Sequence, residues 1–145
     1  MGQLALDIYR IDEEATKNAV EKYLRQAREY KVTEYIPLEP KYTSDYSDIP
    51  RSYTGRISDP TANIAARNID EPERRRQHVE RVEKAIARLG SKQQAIIRMR
   101  YMDDDDVMDS EVAEKLNYSP RHYRRLKSIA IYRLATALGL IKLRD

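Results

Sequence analysis

The chain contains no cysteine, no tryptophan and no phenylalanine, and it has only four glycines and two histidines. The missing cysteine excludes disulfide scaffolds, thiolate metal sites and cysteine nucleophiles. Two histidines argue against a histidine-built metal centre, so neither metal nor cofactor is expected. No apolar run reaches the roughly 18 residues that a membrane span requires. The first residues lack the basic-then-apolar layout of a secretory signal. These absences point to a cytoplasmic protein with no membrane partner.

What the sequence does contain is charge. Charged residues make up 35% and the hydrophobic set 41% of 145 residues, which allows a modest core. The net charge of +3 hides an uneven distribution. Residues 1–70 carry a net −2, 71–100 a net +5, 101–117 a net −6 and 118–145 a net +6. An acidic block abuts a basic one, and such local fields select partners. Tyrosine is equally uneven: seven of eleven lie between Tyr9 and Tyr53.

Periodicity predicts helices and no strands. A first helix is expected over 12–30, capped by Asp12, with Glu13 and Glu14 at the positive end of its dipole. Its apolar stripe comprises Ile11, Ala15, Ala19, Tyr23, Ala27 and Tyr30, widened by Val20 and Leu24. Glu13/Lys17 and Glu21/Arg25 form favourable i,i+4 pairs. The stripe can pack on the C-terminal body or on a second copy of the chain, as in a homodimer. Residues 31–59 read as an irregular linker, with Pro37, Pro40, Pro50 and Gly55 among Tyr35, Tyr42, Tyr46 and Tyr53. This stretch is either mobile or an arm whose tyrosines dock. Asp59-Pro60 signals a short helix through Ile64 and Ile69. Asp70 and Pro72 signal a second, longer helix along Val79, Val82, Ile86 and Leu89, with Gly90 as its stop. Arg74, Arg75 and Arg76 then sit at a helix start, against the dipole, as a solvated turn or with a partner. Ser91 to Gln94 fits a capping box that opens the next helix. The domain division is 1–58, a helix and Tyr/Pro-rich linker, and 59–145, a helical body.

The informative stretch is 109–128. Two short helices locked at a sharp angle, as in a DNA-binding helix-turn-helix, impose a residue code. They need a small residue where they cross, supplied by Ala113. They need inward apolar residues at fixed offsets, supplied by Val112, Leu116, Tyr118, Tyr123 and Leu126. They need a turn residue that tolerates left-handed φ and ψ, supplied by Asn117. Ser119 caps the second helix and Pro120 takes its first position. The outward residues are Arg121, His122, Arg124, Arg125 and Ser128, with Lys127 on the flank, and no acid occurs in residues 120–143. Arginine can bond guanine bidentately, and lysine and arginine neutralise phosphates. Arg121, Arg124, Arg125 and Ser128 are the expected base or backbone contacts on double-stranded DNA. Ser119, Pro120 and His122 lie at the helix N-terminus, where phosphate binds. Lys127 and Arg133 are expected flanking phosphate contacts. Asp103 to Asp106 could suggest a cation loop, but 103–114 has no glycine and fails the EF-hand pattern. The run reads as an acidic loop ahead of a helix. No catalytic constellation is found, and the protein is expected not to be an enzyme.

Residues 82–138 resemble the fourth conserved region of bacterial sigma factors. The carriers are Ala85-Ile86-Ala87-Arg88-Leu89-Gly90, Gln94-Ala95-Ile96-Ile97-Arg98-Met99-Arg100-Tyr101, Glu111-Val112-Ala113-Glu114-Lys115-Leu116, and the stretch from Ser119 through Leu134. The whole chain is similar to the ArpU family of phage transcriptional regulators. Here the carriers are Ile11-Asp12, Thr16-Lys17, Asp48-Ile49-Pro50, Ser52-Tyr53, Arg98 to Asp104 and Ile131 to Leu140. The resemblance implies an activator of late genes, for packaging, morphogenesis and lysis, in phages and prophages of Gram-positive hosts. It implies host RNA polymerase as a partner. The chain has no room for the sigma region that melts DNA, nor its Trp- and Phe-rich cluster, so a bridge between promoter and polymerase is the expected role. The first competing expectation is a terminase small subunit, another small helix-turn-helix phage protein, which would bind packaging-site DNA; the others are a nuclease using Asp103 to Asp106 with a metal, and an adaptor that binds only polymerase.

Overall fold

The structure, a computed structural model, describes residues 10–40 and 60–145. Among them the regular elements are helices, and the fold is all-α. They are α1 (Glu13–Val32), α2 (Pro60–Ala87), α3 (Ser91–Ile97) running into a π-helical turn (Arg98–Met102), α4 (Asp109–Lys115) and α5 (Pro120–Leu138). The expected Asp59 cap and the Tyr42, Tyr46 and Tyr53 part of the linker lie outside the described residues.

α1 begins as its sequence predicts. The extended backbone of Asp12 lets its carboxylate accept from the Ala15 N–H at 3.0 Å. The deepest residues are Thr16, Val20, Leu24 and Ala27, one narrow face at helical spacing, with Ala15, Ala19 and Tyr23 half-buried on its edge. That face packs against α2 and α5. Of the two destinations open to the stripe, the structure uses the body of the same chain.

The chain after α1 docks rather than wandering. Asn68 on α2 accepts from the Leu38 N–H at 2.8 Å and donates to the Leu38 carbonyl at 2.9 Å, so its amide pairs with the backbone as a strand neighbour would. Tyr35 donates to the same amide oxygen, and its ring lies under the Arg75 guanidinium at 5.1 Å.

α2 corrects the expectation of two helices. It is one continuous helix with Pro72 inside it. Proline costs one backbone bond and crowds the preceding turn. Ion pairs bracket the defect: Glu71 with Arg74 and Arg75, Glu73 with Arg76, and Arg76 with Glu80. Each is an i,i+3 or i,i+4 pair on one helix. The Arg74–Arg76 triplet is therefore mid-helix and paired, not at a helix start. Two arginines hold the Glu71 carboxyl down to about 2 through their hydrogen bonds.

The next cap is also corrected. Gly90, not Ser91, precedes the first helical residue, with φ −62° and ψ 157°. Its N–H donates to the Gln93 side-chain oxygen at 3.1 Å. Gln94 instead donates backward to the Ala87 and Leu89 carbonyls at 3.2 and 2.8 Å, tying α3 to the end of α2.

Two packed clusters result. The larger joins Val20, Leu24 and Ala27 of α1 to Val82 and Ile86 of α2 and to Ile131, Leu134 and Leu138 of α5. The 58/59 division therefore marks a change in composition and not a boundary between cores. At the far end Gly139, in the left-handed region at φ 70°, turns the chain back. Lys142 then accepts from the Asp12 N–H at 2.8 Å, and its own N–H donates to Thr16 Oγ1 at 3.0 Å. The two ends of the described chain are thereby stitched together.

Candidate nucleic-acid interface

The smaller cluster lies beneath the turn between α4 and α5. It contains Ile96, Val112, Ala113 and Tyr123, with Leu116, Tyr118 and Leu126 packed on it. Thus the small residue and all five apolar residues assigned inward do pack inward. Asn117 has φ 57°, the left-handed conformation expected of it. The Tyr118 N–H donates to the Ala113 carbonyl at 2.9 Å, which closes the end of α4. Ser119 Oγ accepts from the His122 N–H at 3.2 Å and Pro120 opens α5, so this cap also forms as expected.

Asp109, the first residue of α4, ties the unit together. Its carboxylate accepts from Arg100 Nε at 3.0 Å, Tyr123 Oη at 2.6 Å and Lys127 Nζ at 3.0 Å. One side chain thus joins the π-helical turn, α4 and α5. Burial pushes its carboxyl up, but the hydrogen bonds from Tyr123 and Lys127, with the charges of Lys127 and Arg100, outweigh that and leave it below the ordinary aspartate value. Burial and the Asp109 carboxylate push the Tyr123 phenol up, so it stays a donor.

This arrangement overturns one expected contact. Lys127 is only 7% exposed and its ammonium is held by Asp109, with the Tyr101 ring 5.6 Å away. It faces inward and is not a flanking phosphate contact. The signal was available, since Lys127 lies four residues after Tyr123 and four before Ile131, within the inward stripe of α5. Asp109 as the hub was missed, because a bond between residues 18 apart on two helices follows no local period.

The other residues assigned to the DNA-facing surface are exposed, with His122 as the exception. Ser119, Pro120, Arg121, Arg124, Arg125, Ser128 and Arg133 are exposed, and His122 is half-buried with its ring edge-on to Tyr118 at 5.1 Å. On a helix with about 100° between residues, Arg121, Arg124, Arg125 and Ser128 share one face. Among the described residues no carboxylate pairs with Arg121, Arg124 or Arg125, whereas Arg74, Arg75 and Arg76 on α2 are all paired. Equal side chains thus serve opposite roles. Those on α2 neutralise their own helix, and those on α5 leave their charge outward. Arg133 donates to the Gln93 side-chain oxygen at 2.9 Å and, among the described residues, to no carboxylate.

The acidic run precedes α4 and meets α1. Asp105 faces Arg28 of α1 at 3.4 Å, and the Arg28 guanidinium also caps the π-helical turn through the Met102 carbonyl. Asp106 has a positive φ of 55°, which ends the run in a sharp turn. Among the described residues no three acidic, histidine or cysteine side chains are placed to hold a metal ion. None of the helices described is long and apolar enough to cross a membrane. Compared with protein-family models, curated proteins and solved structures, the chain matches none.

Proposed function

We propose that this protein is a sequence-specific DNA-binding regulator that presents α5 to the major groove as the second helix of a helix-turn-helix. The observation that carries this reading is the outward face of Arg121, Arg124, Arg125 and Ser128, whose arginines have no carboxylate partner among the described residues. A helix kept soluble by charge alone gains by pairing its ions, as α2 does. Leaving three arginines unpaired on a rigidly capped first half suits a polyanion, and guanidinium forks suit guanine edges and phosphates. The Asp109 hub and the Asn117 turn support the reading from below, because base readout demands a fixed helix angle.

The resemblance to the ArpU family and to sigma region four extends the proposal to activation of phage or prophage late genes with host RNA polymerase. Ser119, Pro120 and His122 then approach phosphate at the start of α5, and Arg133 approaches it beyond the groove. Mapping the sites occupied in cells after induced expression tests this. Discrete peaks ahead of late operons, with transcription raised from them, are the expected result. Uniform occupancy of the chromosome overturns sequence specificity, and no occupancy overturns DNA binding.

A further inference from the structure

Two stretches of the chain contain no aspartate or glutamate: residues 84–102 and 120–144. They are separated by the acidic block, yet α3 packs directly on α5, so the two fold side by side. Glu83, the acid that precedes the first stretch, is engaged by Arg98 at 3.0 Å and Lys31 at 3.1 Å.

Helix geometry relates the two stretches. Residues four apart form a ridge that winds slowly around a helix. On α5 one such ridge runs through Arg121, Arg125, Ile129 and Arg133. It leaves the proposed groove-facing surface and ends where Arg133 bonds Gln93 at the start of α3. Twelve residues at about 1.5 Å each place its ends about 18 Å apart. Lys92 is next to Gln93, Lys84 lies in the last turn of α2 and Arg88 just past its end. All three are exposed, and none pairs with a carboxylate among the described residues.

The geometry points to a second nucleic-acid contact surface, in which Lys84, Arg88 and Lys92 bind the phosphodiester backbone flanking the groove segment read by α5. Arg133 is the hinge between the two surfaces. The occupant is duplex DNA because the α5 ridge that starts at the groove-facing Arg121 and Arg125 ends at Arg133, bonded to Gln93 beside Lys92, so one polyanion can cover both. The inference rests on the proposed function and lengthens its footprint.

The test uses the full chain, random-sequence duplexes of about one and about three helical turns, and salt from about 50 to 200 mM. The variant is Lys84→Gln, Arg88→Gln and Lys92→Gln together, all at exposed positions, with circular dichroism as the check on folding. Each phosphate contact adds about 0.9 to the slope of log affinity against log salt. The triple variant is expected to lose two to three units of slope on the long duplex, by about 0.9 per lost contact, and to match the parent protein on the short one. Equal slopes for variant and parent on both duplexes overturn the second surface while leaving the α5 reading intact. Equal DNA slopes with lost binding to purified RNA polymerase also overturn it, and give the patch to a protein partner. Failure of the parent protein to bind either duplex removes the proposed function, and this inference with it.

Discussion

Removing the Asp109 carboxylate should destabilise the α4–α5 unit out of proportion to its exposure. Asp109 has a side chain 46% exposed, while that of Lys127 is 9% exposed. In Asp109→Ala the Lys127 ammonium stays buried and loses its counter-ion, and the Tyr123 hydroxyl loses its acceptor. Breaking a fully buried pair from one side costs about 3–5 kcal/mol. Solvent at Asp109 screens the pair, which lowers the expected loss to about 2–3 kcal/mol. For a chain of this length that corresponds to a fall in Tm of about 8 °C. Lys127→Met removes the cation, keeps the packing, and leaves Asp109 with Arg100 and Tyr123, so it should cost less than about 1 kcal/mol. The double variant should then be less destabilised than Asp109→Ala alone, at about 1.5–2 kcal/mol, because no unpaired ammonium stays buried. Denaturant unfolding of the four proteins gives the coupling energy, expected at about 1.5 kcal/mol, and a value within about 0.5 kcal/mol of zero refutes the hub. The pH dependence has a fixed sign. A carboxyl whose native pKa is depressed contributes stability that is present above the ordinary aspartate value, about 4, and is lost as pH falls below it. The gap between the parent protein and Asp109→Asn should therefore hold from neutral pH to about 4 and close below that.

The other predictions are shorter. If Lys127 belongs to Asp109, Lys127→Met leaves the salt slope of DNA binding unchanged, whereas a phosphate contact would lower it by about 0.9. Leu24 is fully buried between α1 and the body, so Leu24→Ala should cost about 2–5 kcal/mol in denaturant unfolding. A loss under about 1 kcal/mol would mean that α1 is not part of this core. Asn117 has a positive φ, so Asn117→Ala should destabilise by about 1 kcal/mol while Asn117→Gly is neutral or better.

Much of the candidate site was legible because its determinants are local. Asp12, Asn117, Ser119 and Pro120 act on backbone groups within three or four residues, and the inward set on α4 and α5 follows helical spacing. What escaped depends on tertiary partners. Pro72 reads as a boundary by every local rule, yet the paired arginines that follow it and the Asn68 clamp that precedes it accompany an unbroken helix. Gly90 reads as a stop, but it caps α3, and Gln93 supplies the bond that a cap side chain would otherwise make. Lys127 reads as surface by residue type and as core by position, and the Asp109 carboxylate decides for position. The return of the chain after Gly139 onto Asp12 and Thr16 joins residues over 120 apart, a pairing that no period encodes.

The most direct measurement of the central claim is the affinity of Arg124→Ala and Arg125→Ala for a duplex selected by the parent protein from random sequence. A bidentate arginine contact contributes about 1–3 kcal/mol of discrimination. Each variant should bind about five- to 150-fold more weakly, with more tolerance of changes at the contacted base pair, while its helicity and unfolding midpoint stay those of the parent. Unchanged affinity in both variants, with the fold intact, would contradict the account and remove α5 from the groove.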